Sequence, residues 1–83
     1  MKQFVYAIYN KKNNKIYIGQ TNNLDRRLNE HNSKFGNHYT AKVDGDWEIV
    51  YQEIVLTREE ALKREKQLKS CQGRKFIKTY IPL

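Results

Sequence analysis

Eighty-three residues carry 16 Lys or Arg against 9 Asp or Glu, a formal charge of +7 at pH 7. That length fits one domain, residues 1–83, with a small core. A single cysteine, Cys71, excludes an internal disulfide, and no apolar run is long enough for a signal peptide or a membrane span, so the composition predicts a soluble cytoplasmic protein. The positive charge is spread over Lys11, Lys12, Lys15, Arg26 and Arg27 and a run of Lys and Arg from Lys63 to Lys78. Such a surface favours a polyanion, because each neutralised phosphate releases condensed counterion, and nucleic acid is the expected partner.

From Gln3 to Tyr9 the chain alternates aromatic and β-branched residues as a strand does. Asn10 to Asn14 is turn chemistry and Lys15 to Thr21 resumes strand composition, which predicts a hairpin. A loop of two or of four residues keeps the pairing sums odd, which places Tyr6 and Tyr17 on the same face. Asn22 or Asn23 caps a helix to about His31. At about 100° per residue, Leu24, Leu28 and His31 share a stripe with Arg27 at its edge, while Arg26 points away. An inward guanidinium needs an anion to receive it.

Asn32 to Asp46 is a polar connection, long for so small a domain and suited to binding; Lys34, His38, Tyr39, Thr40 and Lys42 are its candidate contacts. Trp47 to Leu56 predicts a third strand with apolar residues on both faces, hence covered on both sides. Thr57 to Glu60 is a capping box opening a helix through Lys69. Ala61, Leu62 and Leu68 form its apolar stripe, and Glu65 projects into the middle of it. Glu59 and Glu60 suit the helix N-terminus; Glu65 has no such local explanation. Gly73 is expected to separate this helix from a last one over Arg74 to Tyr80, ended by Pro82. The order is ββαβαα: an α/β (α+β) layer structure with a three-stranded antiparallel sheet.

The ordered set Phe4-Val5-Tyr6, Tyr17-Ile18-Gly19, Arg27, His31 and Glu65 resembles the GIY-YIG nuclease superfamily, which includes the N-terminal domain of the excision-repair subunit UvrC and small stand-alone bacterial proteins. The resemblance covers nearly the whole chain. It implies a divalent-metal-dependent endonuclease hydrolysing DNA, structure-directed or weakly sequence-specific, with Mg²⁺ or Mn²⁺ as cofactor and a place in repair among the possible pathways. Glu65 matches the metal-binding glutamate, and Tyr6, Tyr17, Arg27 and His31 match the other catalytic positions. Three departures stand out. Phe4 replaces a glycine, Gln20 follows the second motif where some relatives carry lysine, and no asparagine follows Glu65.

The chemistry of these side chains agrees with that assignment. Arg27 can grip the scissile phosphate with its planar fork. One carboxylate is enough for Mg²⁺, which keeps most of its waters and takes phosphate oxygens. A phenol with its ordinary pKa near 10 is a poor base at neutral pH, so Arg27, His31 or a metal must lower it, or one phenol must pass its proton on. Tyr6 is the favoured base, with Tyr17 orienting the water and His31 assisting proton transfer. Gly19 lets the strand end approach the phosphate. Gly19, Gln20, Arg27, Lys34, Lys42, Lys69 and Arg74 are the expected nucleic-acid contacts. Two other readings are a nucleic-acid-binding module that cleaves weakly or not at all, and a subunit that uses Phe35, Trp47 and Tyr51 to dock a protein partner.

Overall fold

The computed structural model describes residues 2–33 and 43–81. β1 (Gln3–Asn10) and β2 (Lys15–Thr21) form the expected hairpin, followed by α1 (Leu24–Asn32), β3 (Trp47–Val55), α2 (Arg58–Lys69) and α3 (Cys71–Lys78). The sheet is antiparallel with strand order β2-β1-β3. The ββαβαα expectation holds. No helix among the described residues is long and apolar enough to cross a membrane.

Three layers result. On one face, Val5, Ala7 and Ile18 pack against Ala61, Leu68 and Ile77 from α2 and α3. On the other, Tyr6 and Ile8 pack against Leu24 of α1 and Trp47. The strand covered on both sides is therefore β1, where every residue from Val5 to Asn10 is buried, and not β3 as its composition implied. β3 is an edge strand with Ile54 exposed. Its apolar residues fall on both faces because a β-bulge interrupts the alternation. Ala7 pairs with Tyr51 but Ile8 with Ile49, which leaves Val50 as the extra residue. Val50 and Tyr51 thus both join the α2 layer while Trp47 and Ile49 join the α1 layer.

The helix starts follow their sequence signals. Asn23 accepts a hydrogen bond from the Arg26 amide at 3.1 Å, and Thr57 accepts one from the Glu60 amide at 3.1 Å. Glu60 completes the capping box one residue early, accepting from the Leu56 amide at 3.3 Å. Gly73 does not break the chain into two helices. The break is Ser70, which ends α2 and caps α3 by accepting from the Gly73 amide at 3.1 Å. Gly73 sits inside α3 because a Cβ there would lie 2.3 Å from the Gln67 carbonyl oxygen and 2.4 Å from Leu68 Cα. Its lack of a side chain lets α3 press onto the last turn of α2. Pro82 lies outside the described residues.

The hairpin tip is tied to the start of β3. Buried Asn10 donates to the Asp44 carbonyl at 2.9 Å and accepts from the Asn13 amide at 3.1 Å, while Lys12 pairs with Asp44. Gly45 turns there with φ 95°. At the same end of β3, Asn32 binds Trp47 twice: its side-chain amide donates to the Trp47 carbonyl at 3.0 Å and its oxygen accepts from the Trp47 amide at 2.7 Å. The end of α1, and His31 with it, is pinned to β3.

Candidate active site

The hairpin register sets the two phenols. Tyr6 pairs with Gly19 and Ile8 with Tyr17 across a four-residue loop, so Tyr6, Tyr17 and Gly19 share the face covered by α1. Periodicity turns His31 of α1 into the same layer, where it is buried. The Tyr6 Oη and His31 Nε2 are 2.7 Å apart in a buried hydrogen bond. The Tyr17 ring lies against the imidazole with centroids 4.9 Å apart. Arg27, one turn before His31, places its guanidinium beside both phenols. It is also near Glu30, but at 3.5 Å and with both side chains partly exposed, a contact of small energy.

The surroundings act differently on the two groups that matter most. Burial, the largest influence, pushes the Tyr6 phenol up to about 12; the neighbouring Arg27 opposes this, and the charges of Tyr17 and Glu65 add to it. The Arg27 guanidinium is pulled down by burial, but its interactions with Tyr6 and Tyr17 outweigh that and hold it above its ordinary value. Arg27 is a fixed cation. Tyr6 keeps its proton and stays buried at 1 % exposure, whereas Tyr17 is partly exposed. Of the two phenols, Tyr17 is the more exposed.

The sign of the Tyr6 shift makes a stability prediction. Its pKa is raised in the fold, so its contribution is complete below the unfolded value near 10 and is lost as pH rises through about 12. The stability difference between wild type and Tyr6→Phe should shrink by roughly 2–3 kcal/mol across that window, read by urea unfolding at each pH. A difference that stays constant would mean the phenol is not held neutral by the fold.

Gly19 has a steric role. A Cβ there would lie 2.8 Å from Tyr6 Oη, 3.0 Å from Tyr6 Cζ and 3.1 Å from Tyr17 Cε1. Tyr6 cannot swing aside because its oxygen is bound to His31 and its ring is buried. Gly19→Ala should cost about 1–3 kcal/mol of stability. In a Tyr6→Phe background the penalty should fall by about half, a coupling that a double-mutant cycle in urea measures directly.

Glu65 is placed differently. It rises from the buried stripe of α2, between Ala61 and Leu68, as its periodicity implied. That stripe covers the opposite face of the sheet from the phenols. Its side chain is 20 % exposed and pairs with Lys69 at 3.7 Å. Tyr6 feels its charge through space as the smallest of the influences on that phenol. The two layers meet at the free edge of β2, where Tyr17 from one and Lys69 from the other line the same groove.

The remaining expected contacts divide. Lys69 and Arg74 line that groove. Gln20 pairs with Val5 and so lies on the α2 face, away from the phenols. Lys34 and Lys42, with Phe35, His38, Tyr39 and Thr40, lie outside the described residues. Sequence reasoning passed over Asn32, whose clamp on Trp47 holds the His31 turn. The only sequence signal for it was its place at the end of α1, which by itself gives no partner.

No group of three or more His, Cys, Asp or Glu able to hold a metal ion occurs among the described residues. A cation caged by protein ligands is therefore not what these residues build. A lone, partly buried carboxylate with a long ion pair to a half-exposed lysine does fit a hard dication that keeps its waters and takes phosphate oxygens.

The GIY-YIG catalytic domain matches residues 2–80. A UPF0213 protein of Staphylococcus saprophyticus is 35 % identical over 77 residues, spanning 93 % of this chain and 92 % of the relative. A UPF0213 protein of Staphylococcus epidermidis is 36 % identical with the same coverage. The solution NMR structure of a UPF0213 protein from Bacillus halodurans aligns with a TM-score of 0.56 and 28 % identity, over 95 % of this chain and 84 % of that one. Phenols, guanidinium and imidazole gathered on one sheet face, within a domain matched almost end to end, mark the chain as a member of the GIY-YIG family, a family of nucleases.

Proposed function

We propose that the chain, as a single domain, is a divalent-metal-dependent endonuclease that hydrolyses DNA phosphodiester bonds, structure-directed or weakly sequence-specific. The observation that carries this reading is the 2.7 Å hydrogen bond between Tyr6 and buried His31, set beside Arg27 and the more exposed Tyr17. A scissile phosphate docks against Arg27, whose fixed charge takes up the negative charge that grows on the non-bridging oxygens. Tyr17, the more exposed phenol, holds the attacking water. The water gives up its proton to the phenol pair as its oxygen attacks phosphorus, and His31 Nε2 is the final acceptor beyond Tyr6.

Tyr17 keeps the water-orienting role expected of it, whereas Tyr6 becomes a relay rather than the direct base, because it is too enclosed to meet water itself. A relay also removes the need for a free phenolate, which the raised Tyr6 pKa disfavours. The P–O bond to the leaving group breaks and that oxygen is protonated from solvent. Glu65 would hold Mg²⁺ or Mn²⁺, which when bound supplies Lewis-acid stabilisation of the phosphate.

Purified protein incubated with labelled duplex, single-stranded, flapped and branched DNA should nick at least one of them in Mg²⁺ or Mn²⁺. Chelation with EDTA should abolish the product, and parallel RNA substrates test the sugar preference. Binding that is indifferent to chelator, with no cleavage of any substrate, would replace this reading with a non-catalytic nucleic-acid-binding module.

A further inference from the structure

β2 is an outer strand of the sheet, paired to β1 on one side only. Along its other side runs an open groove to which three separate parts of the chain contribute cations. Lys11 and Lys15 come from the hairpin end, Lys69 from the end of α2, and Arg74 and Lys78 from α3; among the described residues no carboxylate side chain lines it. Arg74 and Lys78 are four apart and so rise from one face of α3. The Arg74 Nε donates to the Lys69 carbonyl at 3.4 Å, which orients the guanidinium. Lysines on an edge strand alone would have a simpler explanation, since they discourage pairing with another sheet. That explanation does not reach Lys69, Arg74 or Lys78, which belong to helices.

The groove also touches the proposed catalytic cluster. Tyr17 lines both. We propose that this groove seats the sugar–phosphate backbone of one nucleic-acid strand flanking the scissile phosphate, with successive phosphates neutralised from the hairpin tip to α3. The proposal rests on the reading of the Tyr17 cluster as a phosphodiester-cleaving site, and it adds the path by which the strand reaches that site. An acidic peptide could match the charge, but nothing would then join the groove to a phenol that orients water at a phosphate.

The test uses the full chain with Lys15, Arg74 and Lys78 changed to Gln, none of which is assigned a role in catalysis. Binding is measured in a Glu65→Gln background with labelled single-stranded and duplex oligonucleotides over a salt series. Cleavage is measured in the Glu65 background, and circular dichroism melting confirms the fold. Removing three phosphate contacts should make the slope of log affinity against log salt shallower by about 2–3. KM should rise about tenfold or more with kcat within about twofold. An unchanged slope and KM, alongside Glu65-dependent cleavage, would overturn the groove and leave the catalytic reading standing. If no oligonucleotide is bound or cleaved by the unsubstituted groove, both fall. Polyglutamate binding that depends on the three cations, with nucleic-acid binding unaffected by their loss, would assign the groove to an acidic peptide instead.

Discussion

Glu65→Gln should lower the DNA cleavage rate about a thousand-fold, roughly 4 kcal/mol of transition-state stabilisation, while thermal unfolding stays within about 4 °C of wild type. The substitution keeps the size of the side chain and removes only its charge. Little stability is at stake, because the ion pair with Lys69 spans 3.7 Å and that lysine is half exposed. Such a helical pair contributes on the order of 0.3–0.5 kcal/mol. A second readout separates chemistry from folding. Glu65 raises the Tyr6 pKa, so the variant should ionise Tyr6 at slightly lower pH than wild type, seen in the ultraviolet phenolate band. A folded variant that cleaves at the wild-type rate would remove Glu65 from the mechanism.

The largest effect on stability is expected at Gly73. In an exposed helix interior, Gly→Ala stabilises by about 0.5–1 kcal/mol. Here the sign should invert. The new methyl would meet the Gln67 carbonyl oxygen at 2.3 Å and the Leu68 backbone at 2.4 and 2.5 Å, atoms that cannot rotate out of the way. Relief requires α3 to lift from α2, which would expose Leu68 and Ile77, both core residues. A loss of about 3 kcal/mol or more follows, or a fall of roughly 12–24 °C in Tm for a domain of this size. Differential scanning calorimetry of Gly73→Ala tests it, and a rise in Tm would show that α3 has room to spare.

The parts of this architecture legible in the sequence are those that depend on local periodicity. Tyr6 and Tyr17 share a face because hairpin loops of two and of four residues preserve the parity of pairing, and the actual four-residue loop obeys it. Arg27 and His31 face inward because 100° per residue carries them there. Periodicity says which side of a helix is apolar but not which side of the sheet that helix covers. Periodicity puts Glu65 on the buried stripe of α2, yet nothing local reveals that α2 and α1 lie on opposite faces. β3 misled for a related reason, since one bulge residue, Val50, changes the parity of everything after it. Gly73 misled because glycine ends helices more often than it enables close contact between them, and the contact partner, the Gln67 carbonyl, belongs to a different helix.

The two hydrogen bonds between Asn32 and Trp47 join positions fifteen apart in the sequence. Their effect is to fasten the last turn of α1 directly to the first residue of β3. The turn that carries the imidazole is therefore braced by the sheet as well as by its own helix.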